Sequence, residues 1–532
     1  MNSIQLPDFF IGLDTLEVLG MFKRSLLKES DCLDNKNLNI LFFLKDTDEE
    51  SYLTALHLLE KSSSKEIVEG KIRDYINTIK SELGKAGYDK LGIVTKSDGS
   101  IQFSHNRFSK FIADRYDLVV FNSDTFYSYR NGYWVELDEL EFKSRLRRIV
   151  NFLSEDLWKP ALEFKYIEAL KLECKRIKEF NSRRNYVNLT NGMLNLKTFE
   201  LESHHKYYYS SIQIPIEYEK ESNCPKFKDF LMDIFDGDQE RVLVMQEILG
   251  YCLTADTNAQ KAFILLGHGS NGKSVLCDVM AKLYGEDNLS STSLKELGGK
   301  FAKFSIYNKT VNISTENEMD RDMLATGDFK KIVSGDLIQV EEKYRNPFIY
   351  RPFVKLIFAV NSMPKSMDYS YGYYRRLLIL PFNKRYSLKP KEGEELANPN
   401  LKEKLFTEMP GILNFALEGL KRLRDNNYKF TESREIDTTL RDYRKDMDIL
   451  SQFIEDEVQE ETHFTVQRYE IRNRFESWCI RTYNTKHNRI PSREFWKRFR
   501  NSLNSLDMKY NEGKSNGKDL FIGIRLKSDR KK

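Results

Sequence analysis

Hydrophobic positions along this chain recur with two periods, and the switches between them lay out the expected elements. Near the middle, DQERVLVMQEILGYCLT has the spacing of an amphipathic helix, AFILL reads as a short buried strand, and SVLCDVMAKLY returns to helical spacing. Upstream, NLNILFFL is the clearest buried strand of the first 105 residues, and DLVVFNSDTFYSYRNGYWVEL reads as a hairpin whose Asn-Gly turn joins aromatic strands. Downstream, KTVNISTENEMD begins as a strand carrying Val311 and Ile313, and LIQVEE, KYRNP and FIYRPF read as strand, tip and strand. FVKLIFAVN is a further strand ending in Asn361, and YYRRLLILPF another, preceded by Arg375 and Arg376. GILNFALEGLKRL packs as a helix, and the polar RDNNYKFTESREID reads as a linker. Last come two amphipathic helices, TVQRYEIRNRFESWCIRTYN and SREFWKRFRNSLNSL, the second with Ser492 at its N-cap, and then a Gly- and Lys-rich hairpin, MKYNEGKSNGKDLFIGIRL.

The 532 residues exceed one hydrophobic core and suggest about three or four domains. The pattern divides them into an N-terminal α/β region (1–105), a scaffold of helices and short strands (106–255), an α/β nucleotide domain (256–430) and a C-terminal module (440–532). Charged residues at 31% and hydrophobic ones at 40% are ordinary for a soluble protein. The N-terminus has acids and no basic leader, and no apolar run reaches about 18 residues, so neither signal peptide nor membrane span is expected and the location expected is cytoplasmic. Cys32, Cys174, Cys224, Cys252, Cys277 and Cys479 lie far apart without a C-x-x-C pair, which argues against zinc and against a disulfide framework. Asp46 and Asp48 follow NLNILFFL as a metal-binding pair follows a polymerase strand, although a solvated loop is the commoner use of such residues.

The net charge of +4 is unevenly spread. Residues 465–532 hold 18 Lys and Arg against 7 Asp and Glu, and the basic residues alternate with large aromatics, as on a nucleic-acid surface.

The chemistry centres on LLGHGSNGKSVL. Gly267, Gly269 and Gly272 fit a dinucleotide fingerprint, whereas Gly267 to Ser274 fit G-x-x-x-x-G-K-[ST]. A dinucleotide site needs a second strand ending in an acid about 20 residues beyond the loop. Here the helix runs into the polar YGEDNLSSTSLKELGGK, so the triphosphate reading is the better one. Gly267, Gly269, Ser270, Asn271 and Gly272 then supply backbone N–H groups to phosphates, Lys273 neutralises the β/γ oxygens, and Ser274 ligates Mg²⁺. Glu316, at the end of the next strand, is the candidate acid and second metal contact, with Glu318 as the alternative. Asn361 could orient the attacking water and sense the γ-phosphate, although Asn before a turn is also plain turn chemistry. Arg375 or Arg376 could reach phosphates on a neighbouring subunit, a surface ion pair being the plainer role. Lys343, Tyr344 and Arg345 at a hairpin tip suit a nucleic-acid backbone and its bases.

The order of GSNGKS, SGDLIQVEEKYRNPF, NSMPK and RRLLILPF resembles the superfamily 3 helicases, and more closely the phage and plasmid primase-helicase family that includes a poxvirus primase-helicase. DLVVFNSDTFYSYRNGYW is similar to that family's pre-helicase domain, so the resemblance runs from about residue 106 to the C-terminus. It implies an AAA+-like ATPase of a mobile element, assembling as a hexameric ring with ATP and Mg²⁺ and tracking single-stranded DNA, alone or with a separate primase or initiator. In that frame Lys343 is the channel contact, Asn361 the sensor, and Arg375 the finger with Arg376 in reserve. Thr315-Glu316 stands where the family has paired aspartates, and the primase motifs of fused members are not visible. The C-terminal helices and hairpin fit a winged helix, with Arg493, Lys497 and Arg500 facing DNA and Lys514 and Lys518 on the wing; a protein-docking lid is the plainer alternative. Two functions are compatible with these features: a replicative helicase, or an origin-binding initiator whose ATPase drives assembly without processive unwinding.

Overall fold

The structure is a computed structural model describing residues 8–527, apart from 9, 11–12, 27–31, 60–62, 99, 123, 155–156, 300, 317–325, 344–346, 364–369, 484–489 and 516. The chain is mixed α/β and divides into two units, residues 1–220 with 253–255 and residues 221–252 with 256–532. The main break lies at 220/221 and none falls near 105, while the short excursion 253–255 ends at the border expected at 255. The N-terminal helices share a unit with residues 106–220: buried Arg145 donates to the Leu13 carbonyl at 2.8 Å and covers the Phe43 ring at 4.3 Å.

In the first unit, NLNILFFL is part of the helix Asn35–Thr47 and not a strand. A short, mostly apolar run does not separate strand from helix by its period, and the Asp34 carboxylate decides the matter by accepting the Asn37 N–H at 2.7 Å as an N-cap. Asp46 pairs with Arg148 at 3.3 Å and Asp48 accepts from the Ser51 hydroxyl at 2.5 Å, so both carboxylates have structural partners. The expected hairpin is present as Thr125–Arg130 and Tyr133–Glu136, with Asn131 and Gly132 at φ 49° and 91°, the left-handed pair that matches strand twist.

The second unit is built on α1 (Pro225–Ile234), α2 (Gln239–Cys252), β1 (Ala262–Leu266), α3 (Lys273–Tyr284), β2 (Leu289–Ser290) and β3 (Val311–Glu316). It continues with the hairpin β4 (Ile338–Val340) and β5 (Phe348–Tyr350), then β6 (Lys355–Val360), α4 (Tyr371–Tyr374), β7 (Leu377–Pro381), α5 (Met409–Asp425) and α6 (Arg434–Asp446). One parallel sheet runs β2-β3-β6-β1-β7. Leu266 lies opposite both Val360 and Pro381, and Glu316 opposite Val360, so the carboxyl ends of the four longer strands are level and their loops leave along one edge. β1 and β6 are buried on both faces, which explains their continuous apolar runs.

Helix α2 was expected to be amphipathic, but it is buried without a break from Val244 to Cys252. It lies against α5 so closely that a Cβ on Gly419 would stand 2.2 Å from the Gln246 carbonyl oxygen. The stretch expected to be a linker is likewise held in place: Thr431 donates N–H and Oγ to Glu247 at 2.8 and 2.7 Å, and the Phe430 ring lies 5.6 Å from Phe263.

The C-terminal part comprises α7 (Ile449–Glu457), β8 (Val458–Gln467), α8 (Arg468–Tyr483), α9 (Ser492–Ser505), β9 (Asn511–Ser515) and β10 (Lys518–Leu526). Its antiparallel sheet runs β8-β10-β9 over a core that includes Phe453, Phe475, Phe495, Phe499 and Phe521. Residues 465–467, expected in a helix, belong to β8, and Ser492 is the first helical residue while Pro491 takes the cap position.

Candidate functional site

The glycine loop leaves β1 at the centre of the sheet and turns into α3. Ser270 and Gly272 hold φ of 47° and 86°, and the Ser270 carbonyl accepts the Tyr386 N–H at 2.7 Å. At Gly267 a Cβ would lie 2.1 Å from Asn271 Nδ2 and 2.6 Å from the Phe382 carbonyl oxygen, so only glycine fits. Lys273 turns back over the loop, donating to the Gly267 carbonyl at 2.5 Å and to Asn271 Oδ1 at 3.1 Å. It is buried, and that burial lowers its pKa below the ordinary lysine value, a cost that an anion beside it would reverse.

The loop borders a cleft of about 420 Å³. Gly269 to Val275 form one wall, including exposed Ser274 at the start of α3. Thr315 from β3 and Ala359 and Asn361 from β6 form another. The structure therefore brings Lys273, Ser274 and Asn361 to one cleft. Glu316 ends β3 with its backbone opposite Val360, next to Asn361 in the chain, and Glu318 lies outside the described residues. Part of the lining escaped sequence reasoning: Phe230, Asp233 and Ile234 of α1, and Tyr386, Ala397, Asn398 and Leu401. Asp233 ties these parts together by accepting from the Tyr386 hydroxyl at 2.9 Å and from Lys384 at 3.0 Å.

Arg375 and Arg376 do not line this cleft. They precede β7 at the amino edge of the sheet, where Arg375 donates to Gln260 Oε1 at 2.9 Å and Arg376 to Ser334 Oγ at 2.7 and 3.0 Å. Beside them is Lys261, whose pKa falls to about 8, first through burial and then through repulsion by Arg375 and Arg444. No sequence pattern marked it.

The β4–β5 hairpin forms as expected, with exposed Lys343 in its connection and its ammonium 6.0 Å over the Phe301 ring; Tyr344 and Arg345 lie outside the described residues. In the C-terminal part Arg493 and Lys497 are exposed on α9. Arg500 instead pairs with Glu512 of β9 at 2.5 Å, which fastens the helix to the hairpin. Lys514 and Lys518 stand exposed on either side of the hairpin turn.

Residues 109–236 match a family described as "D5 N terminal like", and residues 265–376 match a family of unknown function, DUF5906. Over 443 residues the chain is 20% identical to a protein of Acanthamoeba polyphaga mimivirus named "Putative helicase L207/L206". That alignment covers 68% of this chain but only 44% of the relative, so the chain spans less than half of the mimivirus protein. Among solved structures, two apo structures of the NrS-1 C-terminal region are similar at 13 and 14% identity. They cover 78 and 80% of this chain and 97 and 100% of theirs, with TM-scores of 0.42 and 0.43. No described helix is long and apolar enough to cross a membrane.

Proposed function

We propose that this protein is an ATP-dependent DNA helicase of a mobile element, with an AAA+-like P-loop core and a C-terminal winged helix. The observation that carries the reading is the shared cleft of Lys273, Ser274 and Asn361 at the carboxyl edge of a parallel sheet, the edge where such sheets bind ligands. The D5-like segment and the helicase-named viral relative agree with it. The cleft suits a triphosphate because its one buried cation now rests on the loop's own carbonyl and is free to turn to phosphate oxygens. Lys273 would hold the β/γ oxygens, Ser274 and Glu316 the metal, and Asn361 the attacking water. Magnesium, when bound, offsets charge on those oxygens. Arg375, with Arg376 in reserve, would serve a neighbouring copy in a hexameric ring, and Lys343 would contact single-stranded DNA in its channel.

Strand displacement on a forked DNA tests this directly. Wild-type protein is expected to unwind with ATP, Lys273→Ala to show none, and Lys343→Ala to lose DNA stimulation of hydrolysis. An absence of unwinding by wild-type protein across protein concentrations and forks would overturn the helicase reading. The exposed Arg493 and Lys497 on α9 favour a second reading, an initiator that binds origin duplex and assembles without processive unwinding. Sequence-specific duplex binding combined with ATP-dependent assembly but no displacement would select it.

A further inference from the structure

A second hollow, of about 370 Å³, opens where α4, the end of α6, the start of α7 and α9 meet, away from the glycine loop. Its residues are chemically selective. Tyr371 is 77% exposed, although Tyr373 and Tyr374 of the same short helix are buried. A large aromatic presented to solvent beside cations is a stacking surface. Arg444 is exposed with its guanidinium 5.1 Å over the Tyr374 ring, and among the described residues no carboxylate lies within ion-pair distance of it. Arg498 forms another part of the wall, 3.5 Å from Asp448. That carboxylate is itself occupied, accepting from Leu450 N–H at 3.3 Å and from the Ser451 and Ser502 hydroxyls at 2.7 and 3.2 Å. Arg444, Arg498 and the Asp448 carboxylate thus line the groove together, and Lys261 lies within electrostatic reach of Arg444, Arg375 and Asp437.

We infer that this groove binds single-stranded nucleic acid, one base stacking on Tyr371 and an adjoining phosphate held by Arg444. A polymer is favoured over a free nucleotide by the surface that leads into the groove. Arg493, Lys497 and Asn501 are spaced four residues apart on α9, so they form one exposed stripe whose last member lines the groove. A free nucleotide would fill the groove and leave the stripe unused. The inference deepens the proposed nucleic-acid function by giving the strand a path between the ATPase core and the C-terminal module.

The test uses full-length protein and fluorescein-labelled oligo(dT), read by anisotropy across a salt series, with a fluorescent ATP analogue in parallel. Tyr371→Ala should weaken oligo(dT) binding about five-fold or more, the loss of one stacked base, and Tyr371→Phe should restore it. Arg444→Ala should weaken binding and lower the salt slope by about 0.7, the share of one phosphate on a single strand. A residue that only supported the fold would not move that slope. Both side chains are exposed, and ATP-analogue binding should stay at wild-type level in all three variants. Wild-type affinity and slope in the variants would overturn the groove while leaving the helicase reading in place. Weakened ATP-analogue binding with oligo(dT) binding intact would show a nucleotide pocket instead. A wild-type protein that binds no oligo(dT) would overturn both.

Discussion

Gly267→Ala is the sharpest probe of the glycine loop, because its effect can be worked out from contacts. The new methyl group would stand 2.1 Å from Asn271 Nδ2, 2.6 Å from the Phe382 carbonyl oxygen and 3.0 Å from Phe382 Cβ. Asn271 can turn away, but doing so gives up its contact with Lys273 at 3.1 Å. Phe382 cannot turn away cheaply, since its N–H is bonded to the Leu266 carbonyl at 2.7 Å and holds the end of β7 against β1. Overpacking of this kind costs about 1–3 kcal/mol, and turning Asn271 away loses the charge-assisted hydrogen bond that orders Lys273 in the free loop, worth about 1.5–3 kcal/mol. Even half of that total, withdrawn from nucleotide binding, weakens affinity by roughly ten-fold or more, since a factor of ten is about 1.4 kcal/mol. The assay is titration with a fluorescent ATP analogue, with thermal unfolding measured with and without MgATP. Gly237→Ala is the control: it meets left-handed strain at φ 75° but no atom within 4 Å, so it should lower Tm slightly and leave nucleotide affinity alone. If Gly267→Ala binds nucleotide as wild type does and keeps its full ATP-induced rise in Tm, the loop is not the phosphate cradle.

Two further predictions concern charge. Lys261 has a folded pKa of about 8 against the usual 10.5, so between those values the unfolded chain binds more protons and stability rises with pH. Below 8 the buried charge costs on the order of 3 kcal/mol, so Lys261→Met should be more stable than wild type at pH 7, lose more than half of that advantage by pH 9.5 and the rest above 10.5 in denaturant titrations; a pH-independent difference would refute the assignment. On α9, Arg493→Ala and Lys497→Ala should each lower the salt slope of duplex binding by about 0.9, whereas Arg500→Ala, which releases Glu512, should cost at most about 1 kcal/mol of stability and leave duplex affinity near wild type.

The parts legible in the sequence are those whose cause is local. Gly269 and Gly272 announce a loop of unusual backbone, Asn131-Gly132 announces a primed turn, and apolar runs of four to six residues announce the strands of a parallel sheet. The misread parts depend on distant partners. NLNILFFL is buried nearly all round inside a helical cluster, and the Asp34 cap distinguishes helix from strand. The polar look of residues 424–437 hid Phe430 and Thr431, whose partners lie on β1 and α2. The far wall of the cleft was invisible for the same reason: Asp233 meets Tyr386 across 153 positions of chain, and neither carries a motif. The Arg500–Glu512 pair was equally illegible, because it requires the hairpin to fold back on the helix.

The position of the arginine pair bears on how the proposed ATPase would be organised. Arg376 ends where β7 begins and the glycine loop starts where β1 ends, and these strands run in register from Ala262 and Leu377 to Leu266 and Pro381. Five residues of strand span about 16 Å, a distance an arginine side chain does not bridge. The guanidiniums are moreover turned to Gln260 and Ser334 at that far edge. Neither arginine can complete the cleft of its own chain. If either stabilises charge during hydrolysis, it must do so on a nucleotide held by a second copy, with the amino edge of one sheet facing the carboxyl edge of the next. A head-to-tail contact of that kind repeats, and closing it produces a ring.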